Sequence, residues 1–513
     1  MAKADLMDFD KALELYEPVL GFEVHVELNT QTKMFSDAPN PAARGNEPHE
    51  PNTTITPVDL GLPGSLPVVN EQAIRYSISL GLALGCKIAP SSRFARKNYF
   101  YPDLAKNYQI SQFDEPIAFD GKVEVEVNGK QFTIEIERAH MEEDAGKLTH
   151  IGGATGRIQG AEYSLVDYNR AGVPLVEIVT KMIVGAESDA PELAKAYVSA
   201  IRDIVVALGI SEAKMERGNL RCDANISLRS REDVAFARAS GAPLPLGTRT
   251  ETKNVNSLRS VERAIRYEIQ RQAAILYDGG KIVQETRHWH EDTGVTSAGR
   301  PKSDADDYRY FPEPDLLPVE PSLELIAELR AALPEAPSLR KKRLQDAWGF
   351  TDLEFQDVLN SGLLVEVEET VASGASPAQA RKWWTGEIAR LANAGGVDAA
   401  ALVTPQHVAE LVALIESGDL TDRLARQVLE GVVAGEGSPA EVVERRGLKV
   451  VSDDTALIAA IDTALAAQPD VLEKIREGKV QAAGAVIGAV MKAMQGTADA
   501  ARVRELVLER AQQ

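Results

Sequence analysis

The sequence predicts an α+β protein: a mixed α+β N-terminal domain, then an all-α helical domain and a small all-α tail. Three observations carry that expectation. Short runs of alternating apolar and polar residues, punctuated by turn residues, fill the chain from Gly21 to about Leu316. Four prolines then crowd into the stretch Phe311–Pro321, and beyond them helix-start signatures recur almost without interruption. Alternation at period two marks a strand with one face inward, whereas clustered prolines forbid a helix and favour an extended connector.

The first strand is Gly21-Phe22-Glu23-Val24-His25-Val26-Glu27-Leu28. Side chains repeat every two residues along a strand, so Glu23, His25 and Glu27 share one face and Val24, Val26 and Leu28 the other. The polar face suits an edge strand meeting water or a metal site, and two later acidic stretches favour the site. Spaced apolar residues predict helices over Glu71–Leu84 and Pro191–Leu208. Lys122–Ile136 reads as two strands joined at Asn128-Gly129, a pair that tolerates the positive φ of a type I′ turn, so a hairpin is expected there.

Past the connector, Thr351 with Glu354, Ser376 with Pro377 and Gln379, and Ser438 with Pro439 and Glu441 fit capping-box helix starts. A break near Asn393–Val397 gives expected domains of 1–315, 316–400 and 401–513. Gly484 and Gly488, in an alanine-rich helix, read as a point of close helix packing. The stretch Arg229–Arg249 reads as a loop without an interpretable motif.

Composition narrows the function classes. The 513-residue chain carries a formal charge of -21, which argues against a surface wholly devoted to nucleic acid but leaves room for local basic patches. One such patch, Arg93–Pro102, interleaves Arg93, Arg96 and Lys97 with Phe94, Tyr99, Phe100 and Tyr101, which fits equally the mixture that single-stranded nucleic acid requires and a strand whose rings are core. No apolar run approaches the roughly 20 residues of a membrane span, and Met1–Asp5 lacks a signal-peptide layout. A cytoplasmic protein with no membrane partner is expected. The two cysteines, Cys86 and Cys222, exclude a disulfide framework or an all-cysteine zinc site within one chain.

Two acidic stretches point to chemistry. Glu142, Glu143 and Asp144 follow His140, and parity alone does not say whether Glu142 or Glu143 points inward. Glu177 sits in the apolar run Val173–Val179, where an ionised carboxylate is costly unless paired or bound to metal. Further on, Arg221, Asp223 and Asn225 share a strand face. No G-x-x-x-x-G-K-[ST] loop, G-x-G-x-x-G turn or G-x-S-x-G elbow occurs.

Several stretches together resemble one family. They are Glu23–Leu28, Arg96–Asp103, Tyr108–Gln112, His140–Lys147, Arg221–Ser227 and Asp306–Asp315, in the family's order. The family is the B subunit of the glutamine-dependent aspartyl/glutamyl-tRNA amidotransferase, and the resemblance runs from about Tyr16 to the C-terminus.

It implies a cradle-shaped catalytic domain, a helical domain and a YqeY-like tail that binds tRNA. It also implies a heterotrimer, completed by an amidase, which is the A subunit, and by a small C subunit. ATP and Mg²⁺ would phosphorylate the side-chain carboxylate of misacylated Glu-tRNA(Gln) or Asp-tRNA(Asn), and ammonia from glutamine would displace the phosphate. Carried over by position, the metal residues would be His25, Glu143 and Glu177 with Glu23 nearby, and Asp223 for a second cation.

Glu143, Lys97 and Lys147 would be catalytic, the two lysines serving the phosphates or the ammonia path. Arg96 and Tyr99 in the cradle, and Arg423, Arg426, Arg445, Arg446 and Lys449 in the tail, would contact tRNA. Many relatives carry zinc-binding cysteine pairs between Phe35 and Gly61. This chain has none there, so no zinc is expected. The alternative from another class is a non-catalytic tRNA-binding scaffold of the same complex, which the intact acidic set argues against.

Overall fold

The computed structural model describes residues 6–43, 45–46, 50–152, 160–301, 308–450, 454–476, 479–494 and 497–512. Asp306 and Asp307 of the last motif lie outside them. The chain forms two compact units, residues 1–340 and 341–513.

The first unit is built on one large sheet. Its strands are β1 (Tyr16–Glu27), β2 (Lys87–Ile88), β3 (Ala95–Asn98), β4 (Tyr108–Ser111), β5 (Ala118–Val127) and β6 (Lys130–Glu143). After a separate two-stranded ribbon, β7 (Lys147–Ile151) with β8 (Tyr163–Asp167), come β9 (Pro174–Thr180), β10 (Leu220–Ser230), β11 (Thr250–Val255), β12 (Glu285–His290), β13 (Val295–Pro301) and β14 (Phe311–Pro312). The order across the large sheet is β13-β12-β11-β10-β1-β9-β6-β4-β3-β14, with β5 paired to β6 and β2. The first strand therefore lies inside the sheet, between β10 and β9, and its polar face is not an edge meeting water.

Local chemistry explains the elements. Asn128 and Gly129 turn the β5–β6 hairpin with φ of +52° and +75°, the pair of positive values a type I′ turn needs. On the apolar face, Val24, Ile178, Met141 and Ala224 are buried against the helices Glu71–Ala83, Ala190–Ala207 and Leu258–Tyr277. Phe22 stacks on Tyr197 there, with ring centroids 5.4 Å apart. Each large apolar side chain so buried contributes about 1.5–3 kcal/mol.

Some expectations change. The proline-rich stretch is extended, but it is part of the sheet unit: β14 pairs with β3, and Val319 bridges Ser92. The following helix, Leu323–Ala331, packs Leu325, Ile326 and Leu329 on the same core, so the unit ends at Arg340 rather than near 315. Arg231–Ser240, expected as loop, is a helix capped by Ser230, whose Oγ accepts from the Asp233 amide.

The second unit is helical. Thr351 with Glu354 and Ser438 with Glu441 form complete capping boxes. Ser376 does not cap its helix; its hydroxyl donates to Glu416 at 2.7 Å. One buried core runs from Leu344 to Val442 and joins Trp383 and Trp384 to Val408, Leu411 and Val412, crossing the boundary expected at 400. A second core spans Leu457 to Ala511. A Cβ on Gly484 or Gly488 would meet nothing within 4 Å, so these glycines mark no close packing. No single helix among the described residues is long and apolar enough to cross a membrane.

Candidate active site

Register across five strands assembles the site. Residues directly opposite on antiparallel strands share a face. His25 of β1 stands opposite Glu177 of β9 and Arg221 of β10, and Glu177 stands opposite His140 of β6. Glu23 stands opposite Asp223, and Asn225 opposite Glu251 of β11. The face turned away from the helices thus collects the ionisable residues of five separate strands.

Its centre is His25, Glu142 and Glu177, each offering a ligand atom within 4.8 Å of the others. His25 Nε2 lies 3.5 Å from Glu142 Oε1 and 3.9 Å from Glu177 Oε2, and His140 Nε2 lies 3.2 Å from Glu177 Oε2. Parity left Glu142 and Glu143 open, and the resemblance pointed to Glu143; the structure brings Glu142 to this group. Glu143 points through the sheet, where Lys106 Nζ pairs with its carboxylate at 2.5 Å and the Ile110 amide donates at 3.0 Å.

The electrostatics are strained. Burial, reinforced by Glu177, pushes the Glu142 carboxyl up to about 8. Burial opposes charge on Glu177 as well, but His140, 3.2 Å away, holds its carboxyl below the usual range. Burial also lowers His25, against the pull of Glu177, which keeps its imidazole neutral with a lone pair to share. Two close carboxylates and a neutral imidazole in a buried setting make a donor set that a divalent cation would relieve.

A second group, Glu23, Asp223 and Glu251, also has ligand atoms within 4.8 Å of one another. Lys253 Nζ sits on it, 2.6 Å from Asp223 and 3.2 Å from Glu251. Asn225 donates to Glu23 at 3.1 Å. Glu251 and Lys253 escaped the sequence reading. The alternation in Thr250-Glu251-Thr252-Lys253 is the signal that marks them, and it is of the same kind that marked His25.

Lys97 borders the central group: its charge lowers the Glu142 carboxyl, and its ammonium lies 4.9 Å from the Tyr308 ring centroid. Tyr99 is half-buried, edge-on to Tyr308 at 6.1 Å. Arg96 faces the other way and clamps Glu313 at 2.6 and 2.8 Å, tying the proline-rich stretch to β3. At the far end of β1, Glu27 lines a cavity of about 280 Å³ with Lys147, Asn169, Arg170 and Asn219. Burial and the neighbouring Asp144 push the Glu27 carboxyl up to about 7, while Asn219 donates to it at 2.9 Å.

The basic tail residues expected to meet tRNA lie on helices of the Leu344–Val442 core or close to it. Three have acidic partners: Arg426 with Glu387 at 3.6 Å, Arg446 with Glu436, and Lys449 with Asp419 at 3.0 Å. Arg423 and Arg445 are exposed. Between Phe35 and Gly61, Asp59 accepts from Ser36 Oγ and Thr56 N and lies 3.6 Å from the buried Lys33 Nζ. Both cysteines are buried free thiols elsewhere.

Comparison with known proteins matches the same two regions. Residues 18–327 match the GatB/GatE catalytic domain family, and residues 366–510 match the GatB domain family. Over 513 residues the chain is 78% identical to the B subunit of the aspartyl/glutamyl-tRNA(Asn/Gln) amidotransferase of Clavibacter michiganensis subsp. michiganensis, covering 100% of both chains. It is 74% identical over 514 residues to the protein of that name from Leifsonia xyli subsp. xyli, again covering 100% of both. With its counterpart from Kineococcus radiotolerans the identity is 61% over 515 residues, covering 99% of each chain.

Proposed function

The chain belongs to the family of B subunits of the aspartyl/glutamyl-tRNA(Asn/Gln) amidotransferases, and from that premise we propose that the polar face of its sheet activates a tRNA-borne carboxylate with ATP and amidates it. The family is a glutamine-dependent, ATP-using ligase acting on tRNA as part of a multi-subunit complex.

A carboxylate resists attack by ammonia because its negative charge repels the nucleophile and offers no leaving group. Transfer of the γ-phosphoryl of ATP to a side-chain oxygen breaks the bond to the β-phosphate and releases ADP. Ammonia then forms the C–N bond as phosphate departs, and its surplus proton passes to solvent or a neighbouring base.

The observation that carries this reading is the His25–Glu142–Glu177 group, whose ligand atoms all lie within 4.8 Å of one another around the buried Glu142. His25, Glu142 and Glu177 would hold Mg²⁺, which would supply charge neutralisation for phosphoryl oxygens. Glu142 takes the ligand role that sequence reading gave to Glu143, while Glu143 with Lys106 holds β6 against β4. Glu23, Asp223 and Glu251 would hold a second cation if the Lys253 ammonium that now neutralises them moved aside. Lys97, beside Glu142, is placed to meet phosphate, and Lys147, at the cavity that Glu27 lines, serves the ammonia path.

The partners are an amidase, the A subunit, that frees ammonia from glutamine, a small C subunit, and misacylated tRNA(Gln) or tRNA(Asn), all in the cytoplasm. Arg423 and Arg445 are the exposed tail cations offered to tRNA. The test is tRNA-dependent phosphate release from ATP by the assembled complex carrying Glu142→Gln. Loss of at least about 100-fold, the scale of one removed transition-state charge contact, with glutaminase activity retained, supports the reading. Unchanged release overturns it.

A further inference from the structure

Beyond β6 the polar face ends in aromatic rings that the chemistry above does not use. Phe113, on the bend after β4, is 41% exposed. It stacks on Tyr310 with centroids 5.1 Å apart and planes 14° from parallel. Tyr310 stands edge-on to Tyr308 at 6.0 Å, so the rings form one wall that continues to Tyr99. The wall reaches the acidic group through one residue: His140 is edge-on to Phe113 at 6.3 Å and touches Glu177 at 3.2 Å. Cations lie over two of its rings, Arg138 4.5 Å from the Phe113 centroid and Lys97 4.9 Å from the Tyr308 centroid.

The backbone is shaped to hold these rings. Arg309, between the two tyrosines, has φ of +47°, a conformation that side-chain-bearing residues rarely adopt. Asn98 fixes it by donating its side-chain amide to the carbonyls of Tyr308 at 3.2 Å and Arg309 at 2.8 Å. Phe113 is anchored in turn by Gln112, whose amide donates to Met141 O at 3.0 Å. A ring serving only as packing would be covered, yet Phe113 keeps a large open share beside a buried, charged site.

We propose that Phe113 and Tyr310 form a stacking platform for the adenine ring of a substrate. The inference rests on placing the reaction at this face. Both ATP and the 3′-terminal adenosine of tRNA present an adenine within a few bonds of a reacting atom. Stacking on an aromatic face with a cation beside it is the recognition that such a ring takes.

The experiment uses the assembled complex with Phe113→Leu, Phe113→Trp and Tyr310→Leu, measuring KM for ATP and for misacylated tRNA separately from kcat. Phe113→Leu and Tyr310→Leu are expected to raise one KM about tenfold, the scale of one base–ring stack, with kcat within about twofold and Phe113→Trp restoring it. A rise confined to ATP assigns the nucleotide, and a rise confined to tRNA assigns its 3′ end. Both KM values unchanged, or a defect that Phe113→Trp does not rescue, overturns the proposal. Such a result leaves the Glu142→Gln test of the reaction itself untouched, since that test reads phosphate release rather than affinity.

Discussion

Two buried carboxylate centres in the same sheet unit are built in opposite ways. Glu268, on the helix Leu258–Tyr277, accepts from Arg271 at 2.9 and 2.7 Å, from Arg287 at 3.1 Å and from Thr250 at 3.0 Å. Burial opposes its charge, but Arg271 and Arg287 hold its carboxyl below the usual range. Glu142 is likewise buried and Glu177 nearly so, yet they face each other and two histidines, and the Glu142 carboxyl rises to about 8. The first centre is complete within the chain. The second leaves its carboxylates facing each other, and under the proposed function a cation would complete it.

The sharpest way to break the comparison is Glu268→Gln. It leaves the buried Arg271 guanidinium without a counter-charge, while Arg287 keeps Glu285, and is expected to cost about 3–5 kcal/mol, read from urea unfolding. A neutral result would mean that Glu268 is not the keystone its hydrogen bonds describe. Next in size is the metal response. Millimolar Mg²⁺, at about a hundredfold excess over its dissociation constant, should stabilise the native chain by roughly 2.7 kcal/mol, and Glu142→Gln should lose most of that shift. An equal shift in both would remove Glu142 from the ligand set.

Smaller still is the pH dependence. The folded Glu268 carboxyl titrates below its unfolded value, so its stabilisation is fully present above the unfolded carboxylate range. It is lost as pH falls through that range toward the folded value. Glu268→Gln should therefore flatten the acid limb of the stability profile. An unchanged limb would assign acid sensitivity to other carboxylates.

Much of this was legible from residues alone, for local reasons. The β5–β6 hairpin followed from Asn128-Gly129, and two capping boxes followed from Thr351 and Ser438, because turn and cap geometry involve only a few neighbouring residues. Ser376 carries a similar signature and does not cap, because Glu416, 40 residues away, takes its hydroxyl. The helix Arg231–Ser240 was missed, although Ser230 and Gly241 mark its ends.

The sequence by itself determined the strand periods, the pairing of His25 with Glu23 and Glu27 on one face, and the motifs that place the chain in its family. Only the tertiary structure decided that this face lies inside the sheet, that Glu142 rather than Glu143 joins His25 and Glu177, and that Glu251 and Lys253 complete the second acidic group. The physical reason is register. Alternation tells which residues of one strand point together, but which way they point, and what stands opposite, depends on strands more than 100 residues apart in the chain, such as Glu23 opposite Asp223.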